Sequence, residues 1–248
     1  MTGRTPTLRV GTAGWSIARG LADHFAPDGT ALERYASTFD CVEINSSFYR
    51  PHKPETYARW AASVPKTFRF SVKLPKIISH ETKLALEDGE LQRFAEAIGM
   101  LGETLGAVLV QLAPNHAFAP TIAEPFLAAC KAHWRAHTAI EPRHASWFES
   151  DARALLAKYD IAVVGADPAR PLAASQPLAS NGLGYWRLHG SPKIYYSDYD
   201  DATIADYAAR MRNLVAEEVW CIFDNTAAGA ALKNALTLQK LLQGKTVR

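Results

Sequence analysis

Four side chains suited to moving protons stand late in apolar runs of this chain: Glu43, Lys73, Glu141 and His189. Paired carboxylates of this kind serve as general base or acid, while a lysine and a histidine stabilise developing negative charge or shuttle a proton. Strand alternation puts them on one side. In VEINSSFYR, residues 42–50, Val42 and Ile44 define one face and leave Glu43 and Asn45 on the other. Likewise Phe70, Val72 and Leu74 oppose Lys73, Ile140 opposes Glu141 and Arg143, and Trp186 with Leu188 opposes Arg187 and His189. Gln111 is the single polar residue near the end of the apolar run 107–112. A carboxylate projecting from the middle of a strand demands a cationic or hydrogen-bonding partner elsewhere.

In this set two carboxylates face three permanent cations and one histidine, so the excess is basic and a bound anion balances it. Arg143 and Arg187 are the residues to grip a carboxylate, phosphate or sulfate in bidentate fashion, with Asn45, Gln111 and Asn225 orienting the rest of a ligand. Asp224 and Asn225 follow the last apolar run, where apolar neighbours on both parities leave their direction open. Trp15, Phe48, Tyr49 and Trp147 lie in loops that follow strands and are candidates to stack on a sugar or base. The expected function is a cofactor-independent hydrolase or lyase acting on an anionic small molecule or nucleotide. A structural ion-pair network uses the same residues, and so does a non-catalytic binder of nucleotides or single-stranded nucleic acid. A metal-dependent hydrolase holding its ion with Glu43, Glu141, His189 and Asp224 ranks lower, because three nearby cations repel the ion; no metal ligands are assigned. His133 and His137 have metal-like spacing but no acidic third ligand beside them, and read as a solvated helix end.

Eight short apolar runs are expected as strands, at residues 8–11, 42–45, 69–74, 107–112, 138–142, 161–165, 185–189 and 219–223. Helical periodicity predicts helices over 30–38, between Pro54 and Pro65, from Glu87 to about 105, and over 121–133, 151–159, 203–216 and 228–242. Residues 169–183, with Pro171 and Pro177, show no period and are expected to be irregular. Strands alternating with helices over this length fit an α/β fold, a single (β/α)8 TIM barrel spanning 1–248 as one domain, with its site at the C-terminal ends of the strands. No G-x-G-x-x-G follows the first strand, which argues against a doubly wound dinucleotide fold.

At 248 residues and 48% hydrophobic the chain can bury a full core, and 27 basic against 25 acidic residues give a net charge of only +2. Near neutrality disfavours a long polyanion as partner; any anion site is local. Three dispersed cysteines, Cys41, Cys130 and Cys221, match no disulfide framework or zinc spacing and fit a reducing cytoplasm. No apolar run of membrane-spanning length and no leader-like start occur, so a cytoplasmic protein without a membrane partner is expected. Serine-hydrolase elbows, P-loops and H-E-x-x-H motifs do not occur in the sequence.

GTAGW at 11–15, VEINSSFYR at 42–50, RFSVKLPKIISH at 69–80 and VLVQLAP at 108–114 occur in that order. AIEPRHASWF at 139–148, YWRLHG at 185–190 and FDNTAAGAALKNA at 223–235 complete a nearly end-to-end set. With these motifs the chain resembles the YecE-like (DUF72) family of TIM-barrel proteins, and departs from it at Asp224, where the family more often carries asparagine. The resemblance implies the barrel; it implies no reaction, which must be argued from the site.

Overall fold

The computed structural model describes residues 5–86, 89–180 and 182–244. Along them run β1 (Thr7–Thr12), α1 (Ala31–Ala36), β2 (Cys41–Ile44), α2 (Pro54–Ala62), β3 (Arg69–Lys73), α3 (Glu90–Gly99), β4 (Leu105–Gln111) and α4 (Pro120–His133). There follow β5 (His137–Glu141), α5 (Ser150–Lys158), β6 (Ala162–Val163), β7 (Gly165–Asp167), β8 (Leu183–Leu188), α6 (Asp201–Asn213), β9 (Glu218–Phe223) and α7 (Ala230–Leu242). Local chemistry sets the helix ends. The Thr30 hydroxyl accepts from the Glu33 N–H while the Glu33 carboxylate accepts from the Thr30 N–H, a capping box that starts α1. Pro54 and Pro120 open α2 and α4, where a missing N–H costs nothing. The helix expected from Glu87 to about 105 stops at Gly99, and a 3-10 turn at Gly102–Thr104 follows, entered through a left-handed Gly102. Its expected start at Glu87 lies outside the described residues.

The chain is α/β, with parallel strands in two sheets: β1-β9-β8-β7 and β2-β3-β4-β5-β6. The backbone ladder expected to run through eight strands is interrupted twice. The run 161–165 divides into β6, paired with β5, and β7, paired with β8. Between them the Val164 N–H donates to the Ile140 carbonyl at 2.8 Å. The irregular segment explains the division: Leu178 exchanges both backbone hydrogen bonds with Val163 at 3.0 Å, occupying the edge a neighbouring strand would use.

Between β1 and β2 a tyrosine replaces the ladder. The buried Tyr35 hydroxyl accepts from the Thr12 N–H at 2.9 Å and donates to the Cys41 carbonyl at 3.2 Å. Only Ala13 and Glu43 form a bridge there, with the Gly14 N–H donating to the Glu43 carbonyl at 2.9 Å. The two backbones approach so closely that a Cβ on Gly11 would fall 2.4 Å from the Cys41 oxygen.

Apolar residues on the outer faces of the strands pack against the helices in one large cluster, among them Val42, Phe70, Val72, Val108, Ile140, Leu188 and Phe223. A smaller cluster fills the space between the sheets' inner faces: Cys41, Ala107, Leu109, Ala139, Ala162 and Val164 meet Leu183, Tyr185, Trp220 and Ile222. At the strands' N-terminal ends Arg9 is buried against Asp40 and Glu218, at 3.0 and 3.3 Å. Among the described residues no helix is long and apolar enough to cross a membrane.

Candidate functional site

Above the inner apolar cluster, polar residues take the last inward positions of the strands. Glu43, Lys73, Gln111 and Glu141 come from β2, β3, β4 and β5 of one sheet; Arg187 comes from β8 of the other, with His189 and Asp224 just past β8 and β9. Asp224 continues the inward parity of Trp220 and Ile222. Its direction, open in the sequence, is toward the cluster.

Arg187 is the hub, and it is wholly buried. Its Nε and Nη2 grip Glu43 at 2.9 and 2.7 Å, Nη1 donates to Glu141 at 2.7 Å, and Nη2 also donates to Asp224 at 3.0 Å. Three carboxylates from three strands thus converge on one guanidinium. Its donors are committed to protein, which corrects the expectation that Arg187 grips a ligand. The count of charges changes as well. Glu43, Glu141 and Asp224 balance Lys73, Arg143 and Arg187, so the expected basic excess is not there.

Burial would raise the Glu141 carboxyl, but Arg187, His189 and Arg143 outweigh it and hold the group well below the usual range. Asp224 is lowered against its burial by Arg187 and His189. Both Glu43 oxygens are occupied, one of them also by the Tyr185 hydroxyl at 3.2 Å. Glu141, held so low, is a poor proton acceptor, and both Glu43 oxygens are committed to Arg187 and Tyr185, so the two are placed as counter-charges rather than as the expected acid and base.

His189 is also fully buried. Its Nδ1 lies 2.9 Å from Asp224, and its Nε2 lies 2.9 Å from both Glu141 and Arg143 Nη2. Protonated at Nε2, the ring donates to Glu141; neutral there, it accepts from Arg143. Both ring nitrogens therefore lie within hydrogen-bonding distance of protein partners.

Lys73 and Arg143 are less committed. Lys73 is 6% exposed and makes no ion pair or hydrogen bond among the described residues; its Nζ sits 4.3 Å over the Phe48 ring. Desolvation, then Arg187, depress its pKa to about 8, against the pull of Glu43, Asp224 and Glu141. Arg143, with a side chain 12% exposed, spends Nη2 on Glu141 and His189, while its buried Nε has no partner. The side-chain Oδ1 of Asn45 is likewise buried and unpartnered. A cavity of about 340 Å³, which no residue of the cluster lines, opens between Ala13, Gly14 and Ile17 on one side and Thr226, Gly229 and Leu232, before and at the start of α7, on the other.

Other expected residues serve elsewhere. Trp147 is 1% exposed, donates from Nε1 to the His116 carbonyl at 2.9 Å and packs against Phe118; it cannot stack on a ligand. Trp15 packs edge-on against Trp60 at 5.0 Å. Tyr49 is 79% exposed and touches Phe48 with its edge. Asn225 donates to the Ser197 carbonyl and to Asn234, tying a loop to α7, with its own oxygen unpartnered. Gln111 lies in register with Glu141 and is half-buried. Tyr185 and Ser71, bonded to each other at 2.9 Å beneath Glu43, belong to the network although neither was expected; both share the parity of residues that were. Tyr195, whose ring faces His189 at 5.9 Å, comes from a loop with no such periodic signal. Among the described residues no group of three or more His, Cys, Asp and Glu is arranged to hold a metal ion; where the three carboxylates converge, Arg187 supplies the positive charge.

The chain is 37% identical over 83 residues, 34% of its length, to the UPF0759 protein YecE of Escherichia coli K12, and the match spans 30% of that relative. A crystal structure of a DUF72 family protein from Enterococcus faecalis V583 superposes with a TM-score of 0.80 at 25% identity, covering 96% of each chain. One from Thermotoga maritima MSB8 shares the fold, with a TM-score of 0.77 at 21% identity over 96% of this chain and 99% of that one. The model of the family described as "Protein of unknown function DUF72" matches residues 9–248, so the chain belongs to that family.

Proposed function

We propose that this protein is an enzyme of acid–base type, working on an anionic small molecule that bears a carboxylate or phosphate, at the C-terminal ends of the strands of one closed (β/α)8 barrel. Closure is supported at both sheet joints. β6 and β7 follow one another with only Val164 between them, and Tyr35 with the Ala13–Glu43 bridge spans the other gap. The observation that carries the functional reading is the contrast between Arg187, whose charge is consumed by three carboxylates, and Lys73, whose side chain is largely buried and whose ammonium has no acceptor among the described residues. A structural network has no use for a desolvated, unpaired cation.

In this reading Lys73 and the free face of Arg143 hold the anionic substrate. Asn45 orients it, and His189, kept between Asp224 and Glu141, is the acid–base group. Glu43, Arg187 and Tyr185 are the rigid floor. The unpaired, buried cysteines support a reducing, cytoplasmic setting.

The test is a thermal-shift screen of small carboxylates and phosphate esters, repeated on Lys73→Met and Arg143→Gln. A ligand at a hundred times its Kd should stabilise the native chain by about 2.7 kcal/mol. The shift should disappear in both variants. Ligands that stabilise all three proteins equally would remove the site from these residues.

A further inference from the structure

Lys73 offers more than charge. It ends β3, and its amine lies against an aromatic face, close to Arg187, Glu43, Asp224 and Glu141 from four other strands or their ends. Beyond it the chain turns into a π-helical turn, Ile77–Glu81, whose His80 meets the same Phe48 in an edge-type contact at 5.0 Å. Phe48 thus contacts both the lysine head and the turn. Arg143, also at this end, has a buried Nε with no partner among the described residues.

Deepening the acid–base reading above and resting on it, we propose that Lys73 is a nucleophile that forms an imine with the aldehyde or ketone carbon of a substrate whose carboxylate or phosphate is held by Arg143. The Lys73 nitrogen lone pair forms the C–N bond as the carbonyl π pair moves to oxygen. The two N–H protons of the neutral amine then leave with that oxygen as water, giving C=N; nothing is oxidised or reduced and no other reactant is needed. The surroundings favour the neutral amine. A lysine depressed from 10.5 to about 8 carries roughly 300 times more free amine at pH 7 than an ordinary one. The charged groups facing it are Arg187, which favours that form, and Glu43, Asp224 and Glu141, which oppose it; His80 in the turn feels its charge, and that of Lys76.

The experiment is reductive trapping on the intact chain with pyruvate, dihydroxyacetone phosphate and acetone, each with sodium borohydride, followed by peptide mass spectrometry. Reduction of the imine adds the mass of the probe less one oxygen atom. Pyruvate or the phosphate ester should label Lys73 at least about tenfold more than any other lysine, and acetone, lacking the anion, about tenfold less than the better of the two, given the free-amine advantage. Which of the two labels better tells carboxylate from phosphate. Lys73→Arg, checked for folding by circular dichroism, should lose this label and keep the weak background on surface lysines. Even labelling of all lysines, or an unlabelled Lys73, overturns the imine. If in that case small anions still stabilise the native chain and not Lys73→Met, the non-covalent reading survives alone; if they stabilise neither, both fall.

Discussion

Arg187 and Glu43, 144 residues apart in the chain and both without solvent exposure, form a two-pronged ion pair at 2.9 and 2.7 Å across the space between the two sheets. The pair is the floor of the polar cluster and one of its structural keystones. Replacing Arg187 by methionine leaves Glu43, Glu141 and Asp224 buried without their shared cation. We expect a loss of about 3–5 kcal/mol in urea unfolding, or failure to fold. A variant as stable as the native chain would mean that the three carboxylates reach water and that the hub is dispensable.

The joint between β1 and β2 depends on a phenol and on a missing side chain. Tyr35→Phe strands the Thr12 N–H and the Cys41 carbonyl, at a cost of about 1–3 kcal/mol. Gly11→Ala forces the two backbones apart, with about 1–3 kcal/mol lost to overpacking. Denaturant midpoints of both variants, together with amide exchange at Thr12, measure this. Unchanged exchange at Thr12 in the Tyr35 variant would show that the hydroxyl closes nothing.

Lys73 should reduce stability at neutral pH. Its folded pKa, about 8, lies below the unfolded value near 10.5, so between these values the unfolded chain binds the extra proton and stability rises with pH. Below pH 8 the cost is felt in full. Lys73→Met, which keeps the stem against Phe48, is therefore expected to be more stable than the native chain at pH 7, by up to about 3 kcal/mol. The gain should shrink through pH 8 to 10.5 in pH-dependent melting. A destabilised Lys73→Met would make the lysine a structural partner of the carboxylates instead.

The acid limb has the opposite sign. Glu141 and Asp224 are held below their usual values by Arg187, His189 and, for Glu141, Arg143, so their contribution is complete above the ordinary carboxylate range and lost as pH falls through the folded values. Stability should drop below about pH 4.5 more steeply in the native chain than in Glu141→Gln. The variant should also be less stable at pH 7, having one neutral amide where Arg187 and Arg143 expect a charge. Equal slopes in chevron-free equilibrium titrations would assign the acid loss to other carboxylates.

A great part of this molecule could be read from its sequence alone. Residue alternation is a local property of a strand, so Glu43, Lys73, Glu141, Arg187 and His189 could be placed on inner faces near strand ends from their immediate neighbours, and helical periodicity located the helices to within a few residues except at the end of α3, where the apolar period continues past Gly99. What could not be read depends on distance in three dimensions. Trp220 and Ile222 are as apolar as the alternating Val219, Cys221 and Phe223, so only packing decided that Asp224 turns inward and removes the basic excess. Trp147 resembles any loop aromatic until His116 and Phe118 bury it. Which cation is spent and which is left free is settled by reach: a guanidinium bonds three carboxylates at once, while a lysine seated on a phenyl ring meets none, and no pattern along the chain encodes that difference.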